Sequence, residues 1–218
     1  MFADMLRYAD AVVGDIVAEL DKLGLRDNTI VFVASDNGTE HRFQARRSGR
    51  VVQGNLYSLT EAGGSIVLTV NSPRLIPGGR TVPLADFTDI YPTICELAGV
   101  PLSPRHRVDG QSLAAFLLDQ PGAMPPRTWI LNEQHTTRVV RDRRFKLYSD
   151  GRFFDANSDP AEQRDLAQVT EPTVAAARQH LQQVLASLPP DSPPPFPLRS
   201  LQAFKIHGES NSGSDRPK

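Results

Sequence analysis

The sequence predicts an α/β fold, in which part of a doubly wound sheet with helices is followed by a small antiparallel sheet and a packed helix. Three observations lead to this prediction. Apolar residues recur with a helical period from residue 2 to residue 23, and a continuous apolar run follows at 29–34. Several short strand-like segments then lie between residues 128 and 155. Helix, short loop and buried strand in that order are typical of an α/β layer.

The first two elements set up a candidate ligand site. The helix over residues 2–23 carries its apolar side chains on one stripe, which predicts a core-facing helix. Gly24 stands where a helix stop is expected. The run 29–34 is β-branched and aromatic on both faces, which predicts a buried strand of a parallel sheet. Ser35-Asp36-Asn37-Gly38 follows this strand, and ligands of α/β sheets gather outside the carboxyl ends of strands.

The middle of the chain predicts a loop, a strand and a helix. Residues 39–64 are rich in Arg and Gly, which favours a long loop, and residues 65–70 form a second apolar strand candidate. Residues 86–98 have helical character, although Pro92 restricts where the helix can begin. Gly99 is expected to end it.

A change of composition near Pro121–Pro126 separates this portion from the rest. Beyond it we expect a small antiparallel sheet with strands at 128–132, 137–140, 145–148 and 152–155, and an amphipathic helix at 174–188. The predicted parts are therefore an α/β portion at 1–122, an antiparallel-sheet subdomain at 123–188 and a disordered tail at 189–218, which is rich in Pro, Ser, Gly and charge.

Composition excludes several classes of function. With 218 residues and a formal net charge of −1, the chain has no electrostatic footprint for nucleic acid. Its apolar runs are too short to span a bilayer, so we expect no membrane partner, and no signal peptide is visible. The single cysteine, Cys95, excludes an intrachain disulfide and a cysteine metal cluster. We interpret Cys95 as a small buried hydrophobic residue.

The segment from Asp27 to Gly38, DNTIVFVASDNG, resembles a signature of the sulfatase family, in the alkaline-phosphatase-like superfamily. Further segments resemble sulfatase motifs in order and spacing over about residues 5–188, namely 60–63 (TEAG), 86–99, 109–113 (DGQSL), 144–148 (RFKLY) and 154–167. The resemblance implies the C-terminal part of an alkaline-phosphatase-like domain and a sulfuric ester hydrolase of the arylsulfatase type.

The resemblance also implies a metal site at Asp36 and Asn37, which align with metal ligands of the family. Carboxylate and amide oxygens are ligands that Ca²⁺ prefers. We therefore expect Ca²⁺, or another divalent cation, to bind weakly at this half-site. The alternative is an ordinary turn, because Asn-Gly is a strong turn dipeptide.

Other parts of the family's site are missing from the sequence. The nucleophile of sulfatases lies in a Cys/Ser-x-Pro/Ala-x-Arg motif near the N-terminus of the full domain, and Cys95 lacks that context. Ungapped alignment on 60–63 places Leu56 at the family's sulfate-binding Lys, Tyr57 at the Gly after it, and Ser65 at a downstream basic position. Leucine carries no charge and donates no hydrogen bond. We therefore assign no catalytic residue and expect no activity from the chain alone.

The loop after the metal pair contains further candidates for substrate binding. His41 follows the pair closely, and Arg46 and Arg47, with Arg42 and Arg50, could act as oxyanion donors. The alternative is a solvated basic loop. Lys146 and Asp155 are interpreted as structural anchors of the small sheet.

Three functions remain open at this point. The first is a sulfuric ester hydrolase represented by its C-terminal part, with a sulfate ester as substrate and an N-terminal half missing. The second is a non-catalytic sulfatase remnant that acts as a binding or structural protein. The third is a hydrolase of phosphate or phosphonate esters. The family is commonly periplasmic or extracellular, but the sequence specifies neither localisation, substrate nor oligomeric state.

Overall fold

A computed structural model describes residues 2–190 except 48, 80, 82, 83, 106, 122, 124–126 and 135. The helices are α1 (Phe2–Lys22), α2 (Glu61–Gly64), α3 (Ile90–Leu97), α4 (Ala114–Leu117) and α5 (Pro172–Ser187), with 3-10 turns at Arg26–Asn28 and Phe87–Asp89. The strands are β1 (Val31–Ala34), β2 (Gln44–Arg47), β3 (Arg50–Gln53), β4 (Leu68–Asn71), β5 (Ile130–Gln134), β6 (Thr137–Arg141), β7 (Phe145–Tyr148) and β8 (Phe153–Asp155). The predicted mixed α/β class is confirmed.

Helix α1 forms where it was predicted, but the prediction that its stripe faces the core is wrong. None of its residues is buried, and Ile16 is 53% exposed. The helix contacts the 3-10 turn that follows it, and the ring of Phe2 stacks on Phe43 with centroids 4.4 Å apart. An apolar stripe is buried only where a second layer covers it. The described part of the chain places no such layer on α1.

Strand β1 also departs from its prediction. It pairs antiparallel with β4, from Val31 opposite Asn71 to Ala34 opposite Leu68, and its residues are half-buried or exposed. The predicted buried, parallel strand is therefore not seen among the described residues. The two strands form a sheet of their own, and a sheet needs more layers and strands than this to bury both faces.

The predicted loop at 39–64 is wrong in part, because it contains a hairpin and a helical turn. Strands β2 and β3 pair antiparallel from Gln44 opposite Gln53 to Arg47 opposite Arg50. The side chains of Gln44 and Gln53 add a hydrogen bond of 2.6 Å. The ladder uses backbone groups, so charged side chains do not prevent it.

Helix α3 begins within the predicted range, directly after the 3-10 turn Phe87–Asp89, which has a capping box. Asp86 accepts a hydrogen bond from the Thr88 amide, and the Asp86 amide donates to Asp89, each at 2.9 Å. Pro92 lies in the first turn of α3, where its missing N–H has no helical partner to lose. Cys95 is half-buried, so the prediction of a buried cysteine is wrong; it lies beside exposed Ile94 on a face that no described element covers fully.

The C-terminal sheet is confirmed strand by strand. Its order is β5-β6-β7-β8, with every neighbouring pair antiparallel, and α5 packs on β6 and β7. All four residues of β7 are buried. The hydrophobic core lies here and includes Val139, Val140, Leu147, Phe153 and Leu181. A buried ion pair of 2.6 Å between Arg127 and Asp89 ties the start of α3 to the chain that enters this sheet.

The first compact unit, Met1–Ser187, contains every helix and strand given above. The boundary expected between 122 and 123 stays a prediction, and most of the predicted tail at 189–218 lies outside the described residues, which end at 190. Among the described helices, none has the length and apolar character needed to cross a membrane.

Candidate functional site

The candidate metal pair lies in the corner that follows β1. The Ser35 amide donates to the Val67 carbonyl, and the Val67 amide donates to Ser35 Oγ, both at 3.1 Å. This pairing extends the contact between β1 and the chain entering β4. The corner then turns with the Asn37 amide donating to Asp36 Oδ1 at 2.9 Å. The side chains of Asp36 and Asn37 are exposed, so both are accessible to a ligand.

Gly38 joins this corner to the Thr60–Gly63 loop. Its amide donates to the Gly63 carbonyl at 3.1 Å. A Cβ at this position would lie 2.2 Å from the Ala62 carbonyl oxygen, so only glycine allows the two backbones to approach this closely. Two of the motifs that carried the family resemblance, although more than twenty residues apart, are therefore in direct contact.

Leu56 and Tyr57 lie beside the same corner. The Leu56 amide donates to the Thr39 carbonyl at 3.0 Å, and the Leu56 side chain is half-buried. Tyr57 has φ +69° and is 81% exposed. This left-handed conformation favours glycine, the residue that the resemblance places in the family at this position. The backbone here thus has a glycine-like conformation, whereas the side chains offer no positive charge.

The weaker candidates lie on the loop and hairpin after the corner. His41 is exposed, with Nδ1 3.8 Å from Glu40 Oε1, and Arg42 Nε donates to the same carboxylate at 2.5 Å. These contacts stay within the loop. Arg46 is exposed on β2, and the side chain of Arg47 lies outside the described residues. These contacts fit a solvated basic loop, and the role of these residues in binding stays a prediction.

The corner offers the type of oxygen ligand that a hard divalent cation prefers, but too few such ligands to fill its coordination shell. Asp36 offers a carboxylate and Asn37 an amide oxygen, whereas Ca²⁺ takes about six to eight oxygen ligands. Within the described ranges, no group of three or more His, Cys, Asp or Glu side chains could hold a metal ion. The two residues can therefore supply part of a coordination shell.

A buried cluster of charges lies behind the Thr60–Gly63 loop. Arg141 Nη1 donates to both carboxylate oxygens of Glu61 at 2.6 and 2.7 Å. Lys146 Nζ donates to the Leu59 carbonyl and to Glu162, each at 2.5 Å, and lies 3.5 Å from Glu61. Two cations and two carboxylates thus balance one another.

Tyr148 completes the cluster, because its hydroxyl donates to Glu162. Burial, and then this hydrogen bond to a carboxylate, raises the pKa of the Tyr148 phenol well above its ordinary value. Sequence reasoning found Lys146 but missed Arg141 and Glu162 as its associates. A lysine inside an otherwise apolar strand, FKLY, is the signal that predicts buried charge partners.

Asp155 anchors the far side of the same sheet. It accepts hydrogen bonds from Arg144 Nε at 2.9 Å and from the amides of Asn157 and Ser158. Burial acts to raise the pKa of Asp155, but these hydrogen bonds outweigh it and lower the pKa overall. The structural role expected of Asp155 agrees with these contacts.

The described fold and sequence were compared with known proteins. A family model described as Sulfatase matches residues 2–100. Human Arylsulfatase K is 31% identical over 186 residues, which cover 75% of this chain and 32% of that protein. The chain spans about a third of the length of the curated relatives that it matches most strongly.

Solved structures share the fold over most of the chain. The sulfatase PsFucS1 from Pseudoalteromonas sp. superposes with a TM-score of 0.59 and 23% identity, covering 84% of this chain and 42% of that one. The phosphonate monoester hydrolase SpPMH from Silicibacter pomeroyi gives a TM-score of 0.61 and 22% identity, covering 81% and 38%.

The fold is that of an α/β protein similar to solved sulfatase structures over most of the described chain. The family model and the Arylsulfatase K relatives together support the chain as a member of the sulfatase family, in the alkaline-phosphatase-like superfamily. This family generally uses a divalent metal.

Proposed function

We propose that this chain supplies Asp36 and Asn37 as two oxygen ligands of a divalent-cation site of the sulfuric ester hydrolase type. The observation that carries the proposal is the exposed pair at the carboxyl end of β1, packed through Gly38 against the Thr60–Gly63 loop. Ligand sites of α/β sheets form at such strand ends. Ca²⁺ is the cation whose preferred ligands the pair matches best.

We further propose that the chain alone does not hydrolyse sulfate esters. Hydrolysis needs a nucleophile and groups that stabilise the non-bridging oxygens of the ester. The nucleophile motif is absent from the sequence, and Leu56 stands beside the corner where a cation would be needed. The partner this requires is the complementary N-terminal half of a sulfatase domain, which would bring the nucleophile and the remaining metal ligands.

The substrate class is proposed as a sulfate ester. A phosphonate or phosphate ester is the second candidate, because the SpPMH fold fits the chain as well as sulfatase folds do. A chain reconstituted with its complementary half would separate the two by its relative rates on an aryl sulfate and an aryl phosphonate. A non-catalytic role, as a binding or structural remnant, is the third candidate. It predicts that neither the aryl sulfate nor the aryl phosphonate is hydrolysed.

Calcium-dependent melting tests the cation half-site. With two protein ligands, affinity is weak, and a cation present at its Kd adds only about 0.4 kcal/mol to the free energy of unfolding. We therefore expect millimolar CaCl₂ to raise the melting temperature of the parent chain by about 1–2 °C. The Asp36→Asn variant keeps the side-chain shape but removes the charge, so it should lose this shift.

The matched control is Asp10→Asn on the exposed surface of α1, which should keep the calcium shift. An equal shift in the parent, Asp36→Asn and Asp10→Asn proteins would show that calcium acts elsewhere and contradict the site. A much larger shift that depends on Asp36 would show that further ligands complete the shell.

A further inference from the structure

The position of the Thr60–Gly63 loop depends on contacts from outside it. Helix α2, which begins at Glu61, has only four residues, and a single helical turn is not stable by itself. Inside the loop, Thr60 Oγ1 bonds with Ser58 Oγ at 2.7 Å and with Asn55 Nδ2 at 3.1 Å. These bonds fix the shape of the loop but do not attach it to the C-terminal sheet.

Arg141 and Lys146 make polar contacts to the loop from strands β6 and β7 of that sheet. Beside these contacts, Leu59 packs on the core cluster of Val139, Tyr148 and Phe154. Arg141 holds both carboxylate oxygens of Glu61, and Lys146, whose side chain is 1% exposed, holds the Leu59 carbonyl. Glu162 accepts the second hydrogen bond of the Lys146 ammonium and balances its charge. A buried ammonium is stable only where it is paired in this way. The Lys146 ammonium, the carboxylates of Glu61 and Glu162 and the Leu59 carbonyl therefore hold one another in fixed positions.

The same loop contacts the candidate metal pair on its other side. The Gly63 carbonyl accepts the Gly38 amide, and the Ala62 carbonyl leaves no room for a side chain at residue 38. Gly38 directly follows Asn37. A continuous series of contacts therefore runs from β6 and β7, through the loop, to the two proposed cation ligands.

We propose that Arg141 and Lys146, with Glu61 and Glu162, are positioning residues that hold the Thr60–Gly63 loop, and through it Asp36 and Asn37, in place for a divalent cation. The role in cation binding rests on the proposed function, whereas the mechanical link to Gly38 does not. None of the four residues is required to touch the cation.

Amide hydrogen exchange at Gly38 tests the link directly. In the Arg141→Gln variant we expect the Gly38 amide to exchange at least tenfold faster than in the parent, because the loop that supplies its acceptor is released. The Leu147 amide in β7 should exchange at its parental rate. Calorimetric titration with CaCl₂ should show at least a threefold weaker affinity.

The matched control is Arg144→Gln, which removes an arginine of the same sheet that pairs with Asp155 rather than with the loop. It should leave both Gly38 exchange and calcium affinity unchanged. The conservative Arg141→Lys variant should restore most of the protection at Gly38. Faster exchange of the Leu147 amide in Arg141→Gln would show that this substitution opens the sheet itself. In that case the Glu61→Gln variant tests the link, because it breaks the same ion pair from the side of the loop.

Parental exchange at Gly38 in Arg141→Gln or Glu61→Gln would overturn the proposal, and so would an equal acceleration in Arg144→Gln. Faster exchange at Gly38 in a chain whose parent binds no calcium would leave the link intact and contradict only the proposed cation site.

Discussion

Tyr57 has a backbone conformation that favours glycine, although the residue carries a large side chain. Its φ of +69° is a conformation that a side chain makes costly, by about 1–2 kcal/mol. The amide of its neighbour Leu56 is held by the Thr39 carbonyl, so the surrounding contacts impose this conformation.

Two substitutions at this position isolate the backbone effect. Tyr57→Gly removes the penalty for positive φ, whereas Tyr57→Ala keeps a Cβ and also removes the ring. We expect the Tyr57→Gly variant to have a free energy of unfolding about 1 kcal/mol higher than the Tyr57→Ala variant. Urea unfolding followed by circular dichroism measures both. If the alanine variant were the more stable of the two, residue 57 would not adopt this conformation in solution.

Asp36 and Asn37 could be predicted from the sequence because a strand followed by SDNG places them at a strand end, and the structure has them there. Arg141 could not be predicted, because its partner Glu61 lies 80 residues away and charge pairs over such distances leave no local pattern. The approach of Leu56 to Thr39 was likewise beyond the sequence, since it depends on how the hairpin between them folds.

At the scale of elements, the sequence predicts an amphipathic helix at both α1 and α5, but only α5 has buried residues. Leu181 of α5 is 0% exposed against the C-terminal sheet, whereas Ile16 of α1 is more than half exposed. Periodicity predicted both helices and could not distinguish them, because it shows which residues share a face and not what covers that face. The strands at 130–155 were predictable because all four strands of this sheet, and the helix that packs on it, lie within the described residues.

The missed hairpin β2/β3 has a different cause. Its strands carry Gln and Arg rather than an alternating apolar pattern, so side-chain periodicity gave no signal. The Ser48-Gly49 dipeptide between two short segments was the available turn signal.

A matched pair of truncations tests the contrast between the two helices. Leu181→Ala should lower the free energy of unfolding by about 2–5 kcal/mol, because it leaves a cavity in the core. Ile16→Ala should change it by less than about 0.5 kcal/mol, because the side chain is already in contact with solvent. Chemical denaturation of the two variants and the parent gives both values. A cost of 2 kcal/mol or more for Ile16→Ala would show that the stripe on α1 is covered in solution.

At the scale of the whole molecule, burial is uneven along the described part of the chain. The C-terminal sheet with α5 has a buried core, whereas α1 has no buried residue and β1 has β4 as its one partner among the described residues. The chain also spans about a third of the length of its Arylsulfatase K relatives.

We propose that this chain contributes part of a metal site and has no hydrolytic activity of its own. The most direct measurement is the hydrolysis of an aryl sulfate, such as p-nitrophenyl sulfate, by the purified chain with and without CaCl₂, beside an active sulfatase as the positive control. The account predicts a rate equal to the buffer blank in both conditions. Turnover above the blank that disappears in the Asp36→Asn variant would contradict it.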